Sequence, residues 1–157
     1  MNGLQNFQGD ILLYETVDGG EVAVENGLFV SDKQFSTAVY ISLFGGNKND
    51  AGKVKNKKQF WGNVLNGVSE SEKLRSRFQF ILMGLPMSVK NIREAEAAAV
   101  LDLKWLIDEK IADDITAYGQ AVGKNRFNLK VNILKDKSTI FENVYSLLWG
   151  VGYGESV

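Results

Sequence analysis

The sequence predicts an α+β fold, and three observations carry that expectation. Apolar residues recur at helical spacing between Ser88 and Ala112, a strict alternation runs from Phe127 to Ile133, and branched and aromatic side chains crowd the stretch from Thr139 to Trp149. A spacing of three and four places side chains on one helix face, whereas a spacing of two places them on one sheet face. The architecture to expect is a long amphipathic helix packed on a C-terminal antiparallel meander, preceded by an N-terminal hairpin and two shorter helices. A length of 157 residues suits one domain with a real core. Residues 1–157 are therefore read as a single domain, with a glycine-rich tail from about 150 that is mobile or captured by a partner.

Each element has its own signals. Asp10 to Glu15 is a short apolar run, Asp18-Gly19-Gly20 supplies a turn, and Glu21 to Val24 alternates polar with apolar, which together predict the hairpin. Asn26-Gly27 marks a second turn. After Asp32, a candidate cap, the residues Phe35, Ala38, Val39, Ser42 and Leu43 have helical spacing, giving a helix from about Lys33 to Phe44 that Gly45-Gly46-Asn47 stops. The glycine-, asparagine- and lysine-rich stretch from Lys48 to Lys58 reads as an exposed loop. Phe60-Trp61-Gly62 follows it, either as a loop anchor on the core or as a contact for a larger partner.

A second helix is expected from Ser69 to Met83, opened by the Ser69-x-x-Glu72 capping pattern and ended by Gly84 and the single proline, Pro86. The helix from Ser88 to Ala112 carries Val89, Ile92, Ala95, Ala99, Leu103 and Leu106 on one stripe, widened by Trp105 and Ile107. Arg93, Glu96, Asp102 and Glu109 are assigned to the other faces. The small residues Ala95 and Ala97 to Ala99 allow a sheet or a helix to approach closely. Asp114 to Val122 forms the first strand of the meander, Gly123-Lys124-Asn125 a turn, Phe127, Leu129, Val131 and Ile133 the inward side of the second strand, and Asp136-Lys137 the turn into the third.

Composition narrows the function. With 18 basic and 19 acidic residues the charges nearly cancel, so the chain has no bulk positive field of the kind nonspecific nucleic-acid binding uses. The absence of cysteine removes disulfides, thiolate metal sites and a thiol nucleophile, and the absence of histidine removes the commonest general base and another common metal ligand. The N-terminus has no basic start and apolar core of a secretory signal, and no apolar stretch reaches membrane-spanning length. Synthesis in the cytoplasm is expected, with neither nucleic acid nor membrane as partner.

No motif supplies chemistry in place of the missing residues. The glycines around Gly45-Gly46 and Gly52-Lys53 lack phosphate-loop spacing. Carboxylate pairs such as Glu94 with Glu96 or Asp113 with Asp114 are of the type that glycoside hydrolysis uses, but they fall on a helix face and at its end. Asp102, Asp108 and Glu109 lack a calcium-loop pattern. A non-enzymatic domain without cofactor or metal, working by docking on other chains, is the reading that remains.

Where it docks follows from the meander, which must have edges. The last strand carries Phe141, Val144, Tyr145, Leu147, Leu148 and Trp149 on both faces, so either an edge or a second face invites another chain, or the strand is buried on both sides in its own domain. The candidate partner-binding residues are Phe127, Leu129, Val131 and Ile133 on one strand and Phe141, Val144, Tyr145, Leu147 and Trp149 on the next. Phe60 and Trp61 are candidates for a separate contact.

The order of motifs, Asp18-Gly19-Gly20, Gly27-Leu28, Thr37-Ala38-Val39-Tyr40-Ile41-Ser42-Leu43-Phe44, Phe60-Trp61-Gly62, the alanine-rich helix and the final strands, resembles the Mu-type phage baseplate protein family. At superfamily level that family is similar to the small wedge protein of T-even phages on which the contractile sheath starts. The resemblance spans roughly residues 10 to 135. It implies a virion protein present in several copies in a sixfold tail baseplate, touching the larger wedge proteins and the tail tube or hub, and offering strands that the first sheath ring extends. It implies no catalysis, although some superfamily members carry a lysozyme label. One departure stands out: the Glu-Pro-Arg signature of the T-even branch is missing, because Pro86 lies between Leu85 and Met87; Arg75, Arg77 and Arg93 are the candidate replacements for its arginine. A free-standing phage-encoded binding module and a carboxylate-based cell-wall hydrolase are the alternatives.

Overall fold

In the computed structural model, which describes residues 10–16, 19–32, 35–46, 63, 67, 69 and 73–150, helices and antiparallel strands segregate along the chain as an α+β fold requires. Phe60, Trp61 and the Lys48 to Lys58 stretch lie outside the described residues, as do Glu72 and the tail beyond Gly150.

The N-terminal part holds more pairing than a single hairpin. β1 (Asp10–Ile11) pairs with β6 (Ser31–Asp32), β2 (Leu13–Thr16) with β3 (Gly19–Val22), and β4 (Val24–Glu25) with β5 (Leu28–Phe29), all antiparallel. The expected hairpin is β2 with β3. The three ladders meet where Leu12 donates to the Val30 carbonyl, Val30 to that of Ala23 and Ala23 to that of Leu12, each at 2.9 Å, a closed ring of main-chain bonds. Asn26 and Gly27, at φ 51° and 76°, adopt the left-handed conformations that a tight hairpin between β4 and β5 requires. Thr37 ties this unit to the rest: its hydroxyl accepts from Leu13 N (3.1 Å) and donates to Ile11 O (2.6 Å).

Two helix starts differ from expectation for physical reasons. α1 (Ser36–Phe44) begins after Phe35, and Asp32 ends strand β6 instead of capping the helix. α2 (Arg77–Gly84) begins eight residues after the expected start at Ser69. The chain before it is held open: Asn63 clamps Leu74 through both main-chain groups (2.8 and 2.9 Å), while Ser76 bonds Gly46 O through its N–H (3.0 Å) and Ser42 O through its hydroxyl (2.7 Å). These tertiary hydrogen bonds engage the main-chain groups of Leu74 and Ser76 outside any helix.

α3 (Val89–Asp102) starts at Ser88, whose Oγ accepts from Asn91 N at 3.2 Å. The expected single helix to Ala112 instead turns at Leu103–Lys104 and ends with the short α4 (Trp105–Asp108). Ala95, Ala98, Ala99, Leu103 and Leu106 are buried as the stripe demands, but Val89 is 79% exposed at the helix start. Asp102 corrects the face assignment: it is buried, and it lies three residues from Ala99 and four from Leu106, on the apolar stripe itself.

β7 (Asp114–Ala121), β8 (Arg126–Lys135) and β9 (Ser138–Leu148) form the meander in the order β7-β8-β9. Asp136 and Lys137, both left-handed at φ 49° and 63°, make the turn between β8 and β9. Ile140 is an extra residue in β9, since Ile133 faces Phe141 while Leu134 faces Thr139, a bulge that restores the inward side after the turn. Gly119 on β7 is required by packing: a Cβ there would sit 2.6 Å from the Phe127 ring. An aromatic chain joins the layers, with Phe44 near Phe78 (5.7 Å) and Tyr145 (5.4 Å), and Phe127 near Trp149 (5.0 Å), all ring-centre distances.

Candidate functional site

Most of the expected partner-binding side chains belong to the core. Phe127, Leu129, Val131 and Ile133 are fully buried beneath the helices, and Phe141, Tyr145, Leu147 and Trp149 are buried with them. They are not a face that a partner can touch, because a period of two puts a strand's most apolar set on the inward side. Val144 alone of that set is exposed, at 50%. β8 is also excluded as an open edge, since it is paired along its length on both sides.

The outward face of the sheet is mixed. Across the strands, Thr116, Asn132 and Glu142 form one row, Tyr118, Lys130 and Val144 the next, and Gln120, Asn128 and Ser146 the third. Lys130 pairs with Glu142 at 3.1 Å. The expected apolar second face on β9 is therefore interrupted by Glu142 and Ser146, leaving Val144 and Leu148.

The two edges of the sheet differ. On β7, Val122 N donates to Arg126 O, so by antiparallel alternation Ile115, Ala117, Gly119 and Ala121 turn their N–H groups away from β8. Glu96 on α3 accepts from Gly119 N (2.8 Å) and Asp114 from Ile115 N (2.9 Å). Two of those four outward donors are thus occupied, and α3 lies along the strand. Glu96 is held in place by Arg93 (2.8 Å), which makes it a covering group for the edge and not a solvated one.

On β9, Trp149 N donates to Asn125 O, so Glu142, Val144, Ser146 and Leu148 direct their main-chain groups outward. No described residue pairs with this edge through its main chain. A local side-chain interaction is seen there: Asn143 Oδ1 accepts from Val144 N at 2.8 Å. A strand of 11 residues whose outer side is unpaired among the described residues is a template for another strand. The lower end of that strand is fixed, because Trp149 Nε1 donates to Leu85 O (2.7 Å) and Gly150 N to Leu82 O (2.8 Å).

Most of the carboxylates singled out for chemistry are engaged structurally. Glu94 pairs with Lys90 (3.7 Å), Asp108 with Lys104, and Asp113 accepts from Lys135 Nζ (3.0 Å) and Asp136 N (2.7 Å). The Asp136 N–H, with Lys135 behind it, holds the Asp113 carboxyl below the ordinary aspartate range. Asp102 was not separable from a surface acid by its type alone, but its place on the stripe marks it. It accepts from Phe78 N (2.8 Å) and Arg77 Nη1 (3.0 Å), capping α2 from a neighbouring helix. Burial pushes its carboxyl up to about 6, and the N–H groups of Phe78 and Arg77 and the Arg77 guanidinium oppose that rise. Of the arginines considered for the missing signature, Arg77 bonds the buried Asp102 carboxylate, and Arg93 bonds Glu96 at the β7 edge. Compared with protein-family models, with curated proteins and with solved structures, the chain gives no match.

Proposed function

We propose that this chain is a non-enzymatic structural component of a contractile tail baseplate, docking on larger wedge proteins and extending its sheet with a strand from the first ring of the tail sheath. The observation that carries the reading is the asymmetry of the two sheet edges: α3 lies along β7 and Glu96 engages its Gly119 N–H, whereas β9 has no main-chain partner on its outer side among the described residues. The ordered motifs that resemble the Mu-type baseplate family supply the identity of the partner, and strand addition supplies the physics. Main-chain hydrogen bonds along β9 give affinity, and the alternate side chains Glu142, Val144, Ser146 and Leu148 give register and specificity.

The test is co-assembly of the full chain with its neighbouring tail proteins, comparing the natural sequence with Ser146→Pro. Ser146 directs its N–H away from β8, so proline there leaves the internal ladder intact while removing one donor from the edge and obstructing an incoming strand. The expected result is a wedge complex that recruits sheath protein, and a variant that folds and joins the wedge without recruiting sheath. Sheath recruitment by Ser146→Pro at the natural level would sink strand addition at β9. A natural chain that binds neither wedge nor sheath would sink the baseplate reading as a whole.

A further inference from the structure

The β4–β5 hairpin carries an exposed apolar tip that is not part of the core formed by the described residues. Val24 is 55% exposed, Leu28 73% and Phe29 61%, and Val22 beside them is 39% exposed. Val24 faces Phe29 across the ladder and Glu25 faces Leu28, so the tip presents apolar side chains on both of its sides. A cluster of this kind in a short two-stranded ladder adds nothing to its own core and marks a surface that another molecule covers. The tip is nonetheless held firmly at its base by the ring of main-chain bonds through Leu12, Ala23 and Val30.

Charge identifies the chemistry of what covers it. The first 32 residues contain six acidic side chains, Asp10, Glu15, Asp18, Glu21, Glu25 and Asp32, and no lysine or arginine. The whole chain has a net charge of -1, so the negative charge is concentrated in this unit and balanced elsewhere. Glu25 carries it to the tip itself, exposed and opposite Leu28. An apolar tip that carries an acidic side chain favours a partner of opposite sign, because like charges at its border raise the cost of association.

We infer that the β4–β5 hairpin is a docking arm for an apolar protein surface, such as one face of an amphipathic helix, bordered by lysine and arginine, with Leu28 and Phe29 as the anchors and Glu25 as the selecting charge. This interface is separate from the β9 edge and stands whether or not that edge is extended. Anchoring is assigned to Leu28 and Phe29 because large side chains at the centre of an interface carry most of its energy, and acidic side chains at the border act on partner choice and association rate.

The test uses the full chain and two labelled amphipathic helical peptides of equal length and leucine content, one with lysine and one with glutamate on the polar face. Binding is followed by fluorescence anisotropy for the natural sequence, for Leu28→Ser with Phe29→Ser, and for Glu25→Lys. The lysine peptide is expected to bind more tightly than the glutamate peptide by about tenfold or more, with an affinity that falls as salt is added. The double serine variant should abolish that binding with an unchanged melting temperature, since both side chains are solvent-exposed, and Glu25→Lys should narrow the preference between peptides. Equal binding of the two peptides, or binding that survives the double variant, overturns the proposal. So does dimerisation of the natural chain that the double variant removes, which would assign the tip to a second copy.

Discussion

Asp102 shows how one buried side chain sets both a helix boundary and a pH dependence. Without it, Phe78 N would lose its acceptor at the start of α2, and the Arg77 guanidinium, whose side chain is 44% exposed, would return to water. Asp102→Ala is expected to cost about 1–3 kcal/mol, read from urea unfolding midpoints, which is the range for a buried donor left unsatisfied. The pH dependence has a definite sign. An ordinary aspartate titrates near 3.8, and in the fold this one titrates at about 6, so the folded chain retains the proton where the unfolded chain has released it. Its contribution is complete below about pH 4 and is lost as pH rises through about 6, amounting to something on the order of 2–3 kcal/mol. Unfolding free energies of the natural chain and Asp102→Asn, measured from pH 4 to pH 7, should show the natural chain losing stability relative to the variant over that window. Parallel curves would remove the role assigned to burial.

At the scale of elements, the covered edge and the open edge make different predictions. Asn143 occupies the outward donor of Val144 in the middle of β9, so an incoming strand must first displace that amide. Asn143→Ala should leave global stability within about 0.5 kcal/mol, as expected of a surface substitution. Amide exchange at Val144 should accelerate in the same variant, because a local acceptor is gone. Gly119 offers the contrasting case, since its N–H is outward on β7 but engaged by Glu96. Replacing Glu96 with alanine should therefore raise exchange at Gly119 while leaving Val144 unchanged, and a change at both sites would mean that the edges are not independent.

For the whole molecule, the C-terminal end of β9 acts as a fastener between layers. Trp149 is buried, meets the Phe127 ring edge-on and bonds Leu85 O, so it joins the sheet to the end of α2. Trp149→Ala should cost about 3–5 kcal/mol, the range for removing a large buried aromatic, with the loss read in the unfolding midpoint. Its consequence should extend to function if β9 is a docking strand, because an edge whose end is unfastened presents no fixed register. Thr37 does the corresponding work for the N-terminal unit, holding the main chain of Ile11 and Leu13 against α1 and so orienting the hairpin arm.

The meander was legible in the sequence because period two is a local signal: Phe127, Leu129, Val131 and Ile133 had to share one face, and the turn at Asp136-Lys137 fixed the next strand beside it. The stripe on α3 was legible for the same reason, including Asp102, had its position outweighed its charge. Which face looks inward, and therefore that these very side chains are core and not interface, depended on where α3 and α2 pack. The start of α2 also escaped local reading, because the groups that fix it come from distant positions: Asn63 holds Leu74, Ser42 O accepts from the Ser76 hydroxyl, and Asp102 accepts from Phe78 N. Local periodicity by itself determined the meander and the stripe of α3; only tertiary structure decided where α2 begins and that Glu96 covers the β7 edge, since the groups that do both come from another part of the chain.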